Sequence, residues 1–245
     1  MDFDFSDDQE QLRDAVRKWV DKGYDFDRRY KASKAGGFDR AAYTELAELG
    51  LCGLYISEAD GGLGMGPVEG MVVMEELGRG IVLEPFAQTL IAGGVLGGYA
   101  PQAVKDAWLG KIASGEALVV LAHQERAARY RLDICHTTAA PAGAGWALTG
   151  TKSLVPAGDQ ADAFLVPAQA NGKLALFIVE RSAAGVTTQG YGTQDGGRAA
   201  EVTLANAAAS PAGRAAICPR ICADRRERRS SRRSARPSFA TAPSS

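Results

Sequence analysis

Apolar positions in the first 115 residues recur three and four apart. Leu12, Val16, Trp19 and Val20 set one stripe toward a core. Ser6 and Gln9 precede them at capping-box spacing, where each side chain meets an orphan backbone donor of a helix start, and Gly23 is the stop. A second helix is expected after Asp39, with Leu46 and Leu49 on its buried side and Gly50 beyond it. A third is expected from Pro67, whose missing donor costs nothing at a first helical position; Val68, Met71, Val72 and Leu77 would line it, and Gly78 ends it. Phe86 to Leu96 and Pro101 to Ile112 predict two more.

From Ala117 the period changes. Ala117 to Ala122 is a short apolar run, and strand-length segments follow at Trp146–Leu148, Ser153–Val155, Ala163–Val166, Leu174–Val179, Val186–Gln189 and Ala200–Leu204. Clusters such as Pro141-Ala142-Gly143-Ala144-Gly145 and Ala170-Asn171-Gly172-Lys173 separate them as turns. Helices followed by strands predict an α+β chain: an all-helical part over 1–115, then an antiparallel β-barrel or sandwich over 116–206. Residues 207–245 have too few apolar positions to offset the entropy of ordering and are expected to be a disordered basic tail.

Composition sharpens that division. The 245 residues are 46% hydrophobic and 23% charged, as in a soluble globular protein. No apolar run has the length of about 18 residues that a membrane span needs, and the acidic start Met1-Asp2-Phe3-Asp4-Phe5 is not a secretory signal. Four cysteines make no disulfide framework, and Cys218/Cys222 with His123 and His136 make a poor metal set, so a cytoplasmic protein without a metal is expected. The net charge of −1 conceals an asymmetry: from Arg214 onward nine arginines face one aspartate and one glutamate, while the rest carries a net −8.

Few residues suggest chemistry by themselves. The glycine-rich segment Gly61 to Pro67 lacks the Lys-Ser/Thr of a phosphate loop and reads as a tight interhelical turn. His123 and His136 titrate near neutrality but have no Ser or Cys partner that completes a hydrolase. Glu75 and Glu76 are expected on a solvated helix face.

Taken together, the ordered blocks resemble the acyl-CoA dehydrogenase family over residues 1–206. The residues that carry this are Phe5-Ser6-Asp7-Asp8-Gln9-Glu10-Gln11-Leu12-Arg13, then Leu46 to Glu58 with Gly61-Gly62-Leu63-Gly64, then Val73 to Arg79, Gly110 to Glu116, Gly150-Thr151-Lys152 and Phe177 to Glu180. Ala122-His123-Gln124-Glu125-Arg126 and Gly190 to Gly196 look most like the small subunit of pimeloyl-CoA dehydrogenases. The resemblance implies an FAD enzyme that oxidises an acyl-CoA thioester at its α,β carbons. A dicarboxylic acyl-CoA such as pimeloyl-CoA is an expected substrate, and a homo-oligomer or a large-subunit partner is implied.

In the family, a Thr-Glu-Pro-type segment and a Trp-Ile-Thr/Ser segment hold one face of the flavin. They fall here at Gln124-Glu125-Arg126 and Leu154-Val155-Pro156, which implies cofactor contacts at His123, Gln124, Leu154, Val155 and Pro156. Leu154 packs where an indole would stack, and Pro156 has neither hydroxyl nor backbone donor. The Gly-Ser-Asp that follows the first segment is replaced by Arg129-Tyr130-Arg131, implying substrate contacts at Arg129 and Tyr130, with Arg126, Arg129 and Arg131 facing CoA phosphates or a distal carboxylate.

The family's C-terminal helical domain, which supplies the catalytic base, has no counterpart in the pattern. The Arg/Ser/Pro-rich composition that stands there is what a shifted reading frame of GC-rich DNA produces, so a truncated dehydrogenase of little or no activity alone is expected. A non-catalytic fragment or partner subunit is the alternative. A nucleic-acid-binding basic tail is a further one, but it lacks interleaved aromatics.

Overall fold

A computed structural model of the chain describes residues 4–129, 131, 134–143 and 145–213. Six helices come first: α1 (Asp7–Gly23), α2 (Phe26–Lys34), α3 (Arg40–Glu48), α4 (Pro67–Arg79), α5 (Phe86–Tyr99) and α6 (Gln102–Ala113). Ser6 and Gln9 close the expected capping box, the Gln9 N–H donating to Ser6 Oγ and the Ser6 N–H to Gln9 Oε1. α1 buries Val16 and Val20 against α4.

Three expectations about the helices fail. α4 turns Val72, Val73, Glu76 and Leu77 inward and leaves Val68 and Met71 exposed. Its buried stripe therefore includes Glu76, which is not solvated: Arg17 and Arg79 neutralise it at 2.7 and 2.8 Å. Leu49 is exposed rather than buried, because α3 ends at Glu48 and Gly50, at φ 78°, turns the chain away. α2 is unannounced by periodicity, since it buries only Ala32. It is held instead by the Asp25 cap and by Arg28, which reaches Asp39, Glu45 and the Gly23 carbonyl.

Seven strands follow: β1 (Val119–Leu121), β2 (Thr138–Ala142), β3 (Gly145–Pro156), β4 (Ala163–Ala170), β5 (Lys173–Glu180), β6 (Val186–Gly192) and β7 (Arg198–Gly213). The pairings β4–β2–β3–β7–β5 return to β4 and close the sheet like a barrel. β1 shares one edge of β4 with β2, and β6 shares one edge of β7 with β5. The sheet is not purely antiparallel, since β1 and β2 both run parallel to β4. β2 lies partly in what the sequence presents as a turn cluster; only its Ala139 is buried, so no apolar alternation marks it.

The two short segments expected at Trp146 and Ser153 are one strand, bent by irregularities between Leu148 and Gly150 and between Lys152 and Val155. β7 continues past the expected boundary at 206, because Ala207, Ala209 and Ala212 are small enough to pack inside the sheet. The rest of the expected tail, residues 214–245, lies outside the described residues. Alternate residues of β1, β4 and β5 supply two cores. Val120, Phe164, Val166, Phe177 and Val179 face the barrel interior, while Val119, Leu165 and Ile178 pack against Leu96 of α5, Leu109 and Ile112 of α6, and Ile56 between α3 and α4. Among the described residues no helix is long and apolar enough to cross a membrane.

Candidate functional site at the helix–barrel junction

The bend in β3 organises the site. Lys152 and Val155 point into the barrel and are buried, whereas Leu154 between them has φ 52° and is 50% exposed. A leucine in the left-handed region costs about 1–2 kcal/mol, and exposing a large apolar side chain forfeits its burial. Both penalties fall on the residue that separates two cavities. One, of about 390 Å³, lies between the helices and the barrel and is lined by Met74, Leu77, Glu84, Phe86, Leu154 and Pro156, among others. The second, of about 590 Å³, is lined by Gln124, Arg126, Arg129, Leu154, Tyr191 and Glu201, among others.

The two segments expected at the cofactor do come together. The Ser153 N–H donates to the Gln124 carbonyl at 2.8 Å, so residues 124 and 153–156 form one continuous rim. Gln124, Leu154 and Pro156 line these cavities. Val155 is buried in the barrel core, which leaves only its backbone to the rim, and His123 is exposed and lines neither cavity. Arg129, at φ 50°, lines the second cavity with Arg126. Tyr130 lies outside the described residues.

Beneath the rim sits a buried ion pair that pattern reading misses. Glu125 Oε1 accepts from Lys152 Nζ at 2.7 Å, from Thr137 Oγ1 at 2.7 Å and from the Thr137 N–H at 3.1 Å; Oε2 accepts from the His136 N–H at 2.7 Å. Burial by itself would raise the carboxyl's pKa, but the Lys152 and Thr137 hydrogen bonds and the His136 N–H outweigh it and hold it at about 2. Lys152 is fully buried. Cys135 Sγ is 3.6 Å from Lys152 Nζ, and burial raises its thiol pKa. Such a pair costs desolvation and is retained by its hydrogen bonds. Its effect is to tie the loop after β1 to β3 and so to fix Gln124 opposite Leu154. No pattern marks it in advance: residues two apart on a regular strand share a face, and the irregularity between Lys152 and Val155 is what turns Lys152 inward and Leu154 outward.

On the helix side, Arg198 at the start of β7 donates to Asp159 and, at 3.0 Å, to the Gly36 carbonyl before α3. It fastens the barrel to the helices along the first cavity. Two carboxylates around the cavities are engaged, whereas Glu84 has one oxygen without a partner among the described residues. Asp195 accepts from Thr193 Oγ1 and the Gly197 N–H, and Glu201 accepts from Ser153 Oγ and Arg126.

A flavin would suit this rim in part. The exposed, strained Leu154 offers an apolar platform for a flat ring, and Gln124 offers an amide beside it; Pro156 offers no donor. Leu154, Gln124 and Pro156 are therefore the residues that would hold the ring.

Residues 6–116 match the family model described as acyl-CoA dehydrogenase, N-terminal domain. Acyl-CoA dehydrogenase FadE27 of Mycobacterium tuberculosis is 29% identical over 178 residues, covering 72% of this chain and 46% of the relative. Benzylmalonyl-CoA dehydrogenase of Aromatoleum aromaticum is 28% identical over 192 residues, covering 76% of this chain and 51% of its own length. This chain thus spans about half the length of the curated relatives it matches. Among solved structures, the ChsE4–ChsE5 complex of Mycobacterium tuberculosis superposes with a TM-score of 0.78 at 27% identity, over 88% of this chain and 58% of that one. The Tcur3481–Tcur3483 steroid ACAD, as its G363A variant, gives 0.77 at 27%, over 83% and 56%. The sequence match identifies residues 6–116 as an acyl-CoA dehydrogenase N-terminal domain, and the structural likeness continues across helices and barrel.

Proposed function

We propose that this chain takes part in FAD-dependent dehydrogenation of an acyl-CoA thioester at its α,β carbons, with the flavin on the Leu154 rim and the acyl chain in the junction cavity. The observation that carries this reading is Leu154 itself, half exposed and in a strained conformation where two cavities meet. Bound FAD supplies a hydride acceptor. The chain's own residues orient and enclose: Leu154 and Pro156 bear on the ring, Gln124 addresses its polar edge, and Phe86, Leu77 and Met74 exclude water from the acyl chain. Glu125, Asp195 and Glu201 are each committed to a structural hydrogen bond, so none is placed as the α-proton base. That base is a carboxylate from another surface, whether of the same polypeptide or of a partner subunit.

For the substrate, Arg126 and Arg129 line the second cavity and would meet a second carboxylate there if the acyl chain turns into that cavity instead, as for a dicarboxylic acyl-CoA such as pimeloyl-CoA in the manner of the pimeloyl-CoA dehydrogenase small subunit. Arg129→Ala is expected to weaken binding of the dicarboxyl-CoA more than that of a simple acyl-CoA; an equal loss for both removes this assignment. A non-catalytic partner subunit is the second reading. It is favoured by Pro156, which leaves a flavin edge without a donor, and by the two-component composition of the ChsE4–ChsE5 complex. Titrating the purified chain with FAD, then adding acyl-CoA and a dye, separates the two. Yellow protein that reduces dye supports the enzyme, yellow protein inert to acyl-CoA supports the partner, and protein that takes up neither ligand refutes both. The nucleic-acid alternative rests on residues 214–245, which lie outside the described residues, and the proposed cytoplasmic location rests on the cysteine content.

A further inference from the structure

Glu84 stands in the wall of the junction cavity, at the bend between α4 and α5, and is only 5% exposed. Its Oε1 accepts from the Asp39 N–H at 3.2 Å, while Oε2 is buried and has no hydrogen-bond partner among the described residues. A buried carboxyl oxygen left without a partner costs about 1–3 kcal/mol. The Tyr24 hydroxyl, which accepts from the Leu83 N–H, lies beside the carboxyl and lowers its pKa, while Asp39 adds a like charge. Burial is the main cause that raises the pKa of Glu84, with Asp39 adding to it, which favours the protonated, donor form more than in an ordinary carboxyl. The charged residues along the same cavity are committed: Asp195 to Thr193 and Gly197, Arg198 to Asp159 and Gly36. The wall also carries the apolar Leu77, Val82, Phe86 and Leu154, together with Gln88 and Thr193.

We propose that Glu84 is a specificity-determining residue, whose carboxyl hydrogen-bonds an oxygen carried at the far end of the acyl chain in the junction cavity. This rests on the acyl-CoA reading above and adds what the cavity selects: an ω-oxygenated chain over a plain one. A hydroxyl oxygen and a carboxylate share the acceptor chemistry required.

The test is calorimetric titration of the full chain, in excess FAD, with octanoyl-CoA, 8-hydroxyoctanoyl-CoA and octanedioyl-CoA, for wild type, Glu84→Gln and Glu84→Leu. Infrared difference spectra of the protonated carboxyl are recorded with and without each ligand. At least one oxygenated chain is expected to bind about tenfold more tightly than octanoyl-CoA, the worth of one well-formed buried hydrogen bond. Which one it is tells a neutral from an ionised acceptor. Glu84→Leu should level the three, and Glu84→Gln, still a donor, should keep part of the preference. The carboxyl band should shift when the oxygenated ligand binds and be absent from Glu84→Gln. Equal affinities in wild type, or an equal loss for all three ligands in Glu84→Leu, overturn the role of Glu84 while leaving acyl-CoA binding intact. A band that moves in Tyr24→Phe but not with ligand also overturns it, because the spare proton then belongs to Tyr24. If none of the three binds wild type, the acyl-CoA reading fails and this proposal fails with it.

Discussion

Replacing Lys152 with methionine tests whether the buried ion pair holds the rim in place. Methionine keeps most of the length and apolar volume of the lysine stem but removes the ammonium 2.7 Å from Glu125 Oε1. Lys152 is 0% exposed, so no water takes over the lost hydrogen bond. Breaking a buried pair from one side costs about 3–5 kcal/mol. Glu125 retains Thr137 Oγ1 and the Thr137 and His136 N–H groups, which places the loss near the lower figure, about 3 kcal/mol. With a urea m-value of about 2 kcal/mol/M, the midpoint should fall by about 1.5 M. Trp146 on β3, tilted against Phe177 with ring centroids 5.4 Å apart, reports on the barrel; in a Trp19→Phe/Trp108→Phe background it is the sole tryptophan of the three. Adding Glu125→Gln to Lys152→Met should recover part of the loss, because the stranded charge disappears. A midpoint shift under about 0.5 M, corresponding to about 1 kcal/mol, would refute the argument. So would a double variant no more stable than Lys152→Met.

Leu154→Gly should relieve the left-handed strain and raise the melting temperature, the gain being up to about 1 kcal/mol, while weakening FAD binding; a lower melting temperature contradicts the view that Leu154 is strained for the sake of a ligand. Stability should decline on acidification, since Glu125, held at about 2, and Glu76, lowered chiefly by its Arg17 hydrogen bond, are both ionised in the fold. Their contribution is complete above the ordinary carboxylate pKa of about 4.3 and is lost as pH falls toward 2. A urea midpoint independent of pH across that window would disprove it. Glu84 acts with the opposite sign, its stability being lost as pH rises through its elevated pKa, so the gain in stability of Glu84→Gln over wild type should grow with pH. Gly62→Ala should be strongly destabilising, because a Cβ there would stand 2.2 Å from the Ile56 carbonyl oxygen and 2.5 Å from that of Gly53. A midpoint unchanged in urea would show that this turn can open.

Much of this molecule is local, and local features are legible in a chain. The Ser6–Gln9 capping box, the proline at the start of α4 and the glycine after α3 depend on neighbours a few residues away, and each forms where the pattern puts it. The strand-length apolar runs beyond Ala117 also become strands, because β-branched and small apolar residues suit a pleated, half-buried surface. The family resemblance likewise brought Gln124 and Leu154 to one site, through motifs that preserve a spacing.

What needed the folded chain involves partners distant in sequence. Glu76 is buried because Arg17, 59 residues earlier, comes alongside it. α2 exists by virtue of Arg28 reaching across to Asp39 and Glu45. β2 runs parallel to β4 because the sheet closes, a property of topology rather than of the five residues concerned. Periodicity reports which face of an element is apolar, but it does not report which charges meet. The site is of that second kind: Glu125 with Lys152, Arg198 with Asp159, and the spare oxygen of Glu84 are set by the packing of helices against barrel. The sequence by itself determined most of the elements and the likeness to the family, whereas the tertiary structure alone decided where charge could be buried, since that depends on a partner's arriving within hydrogen-bond reach.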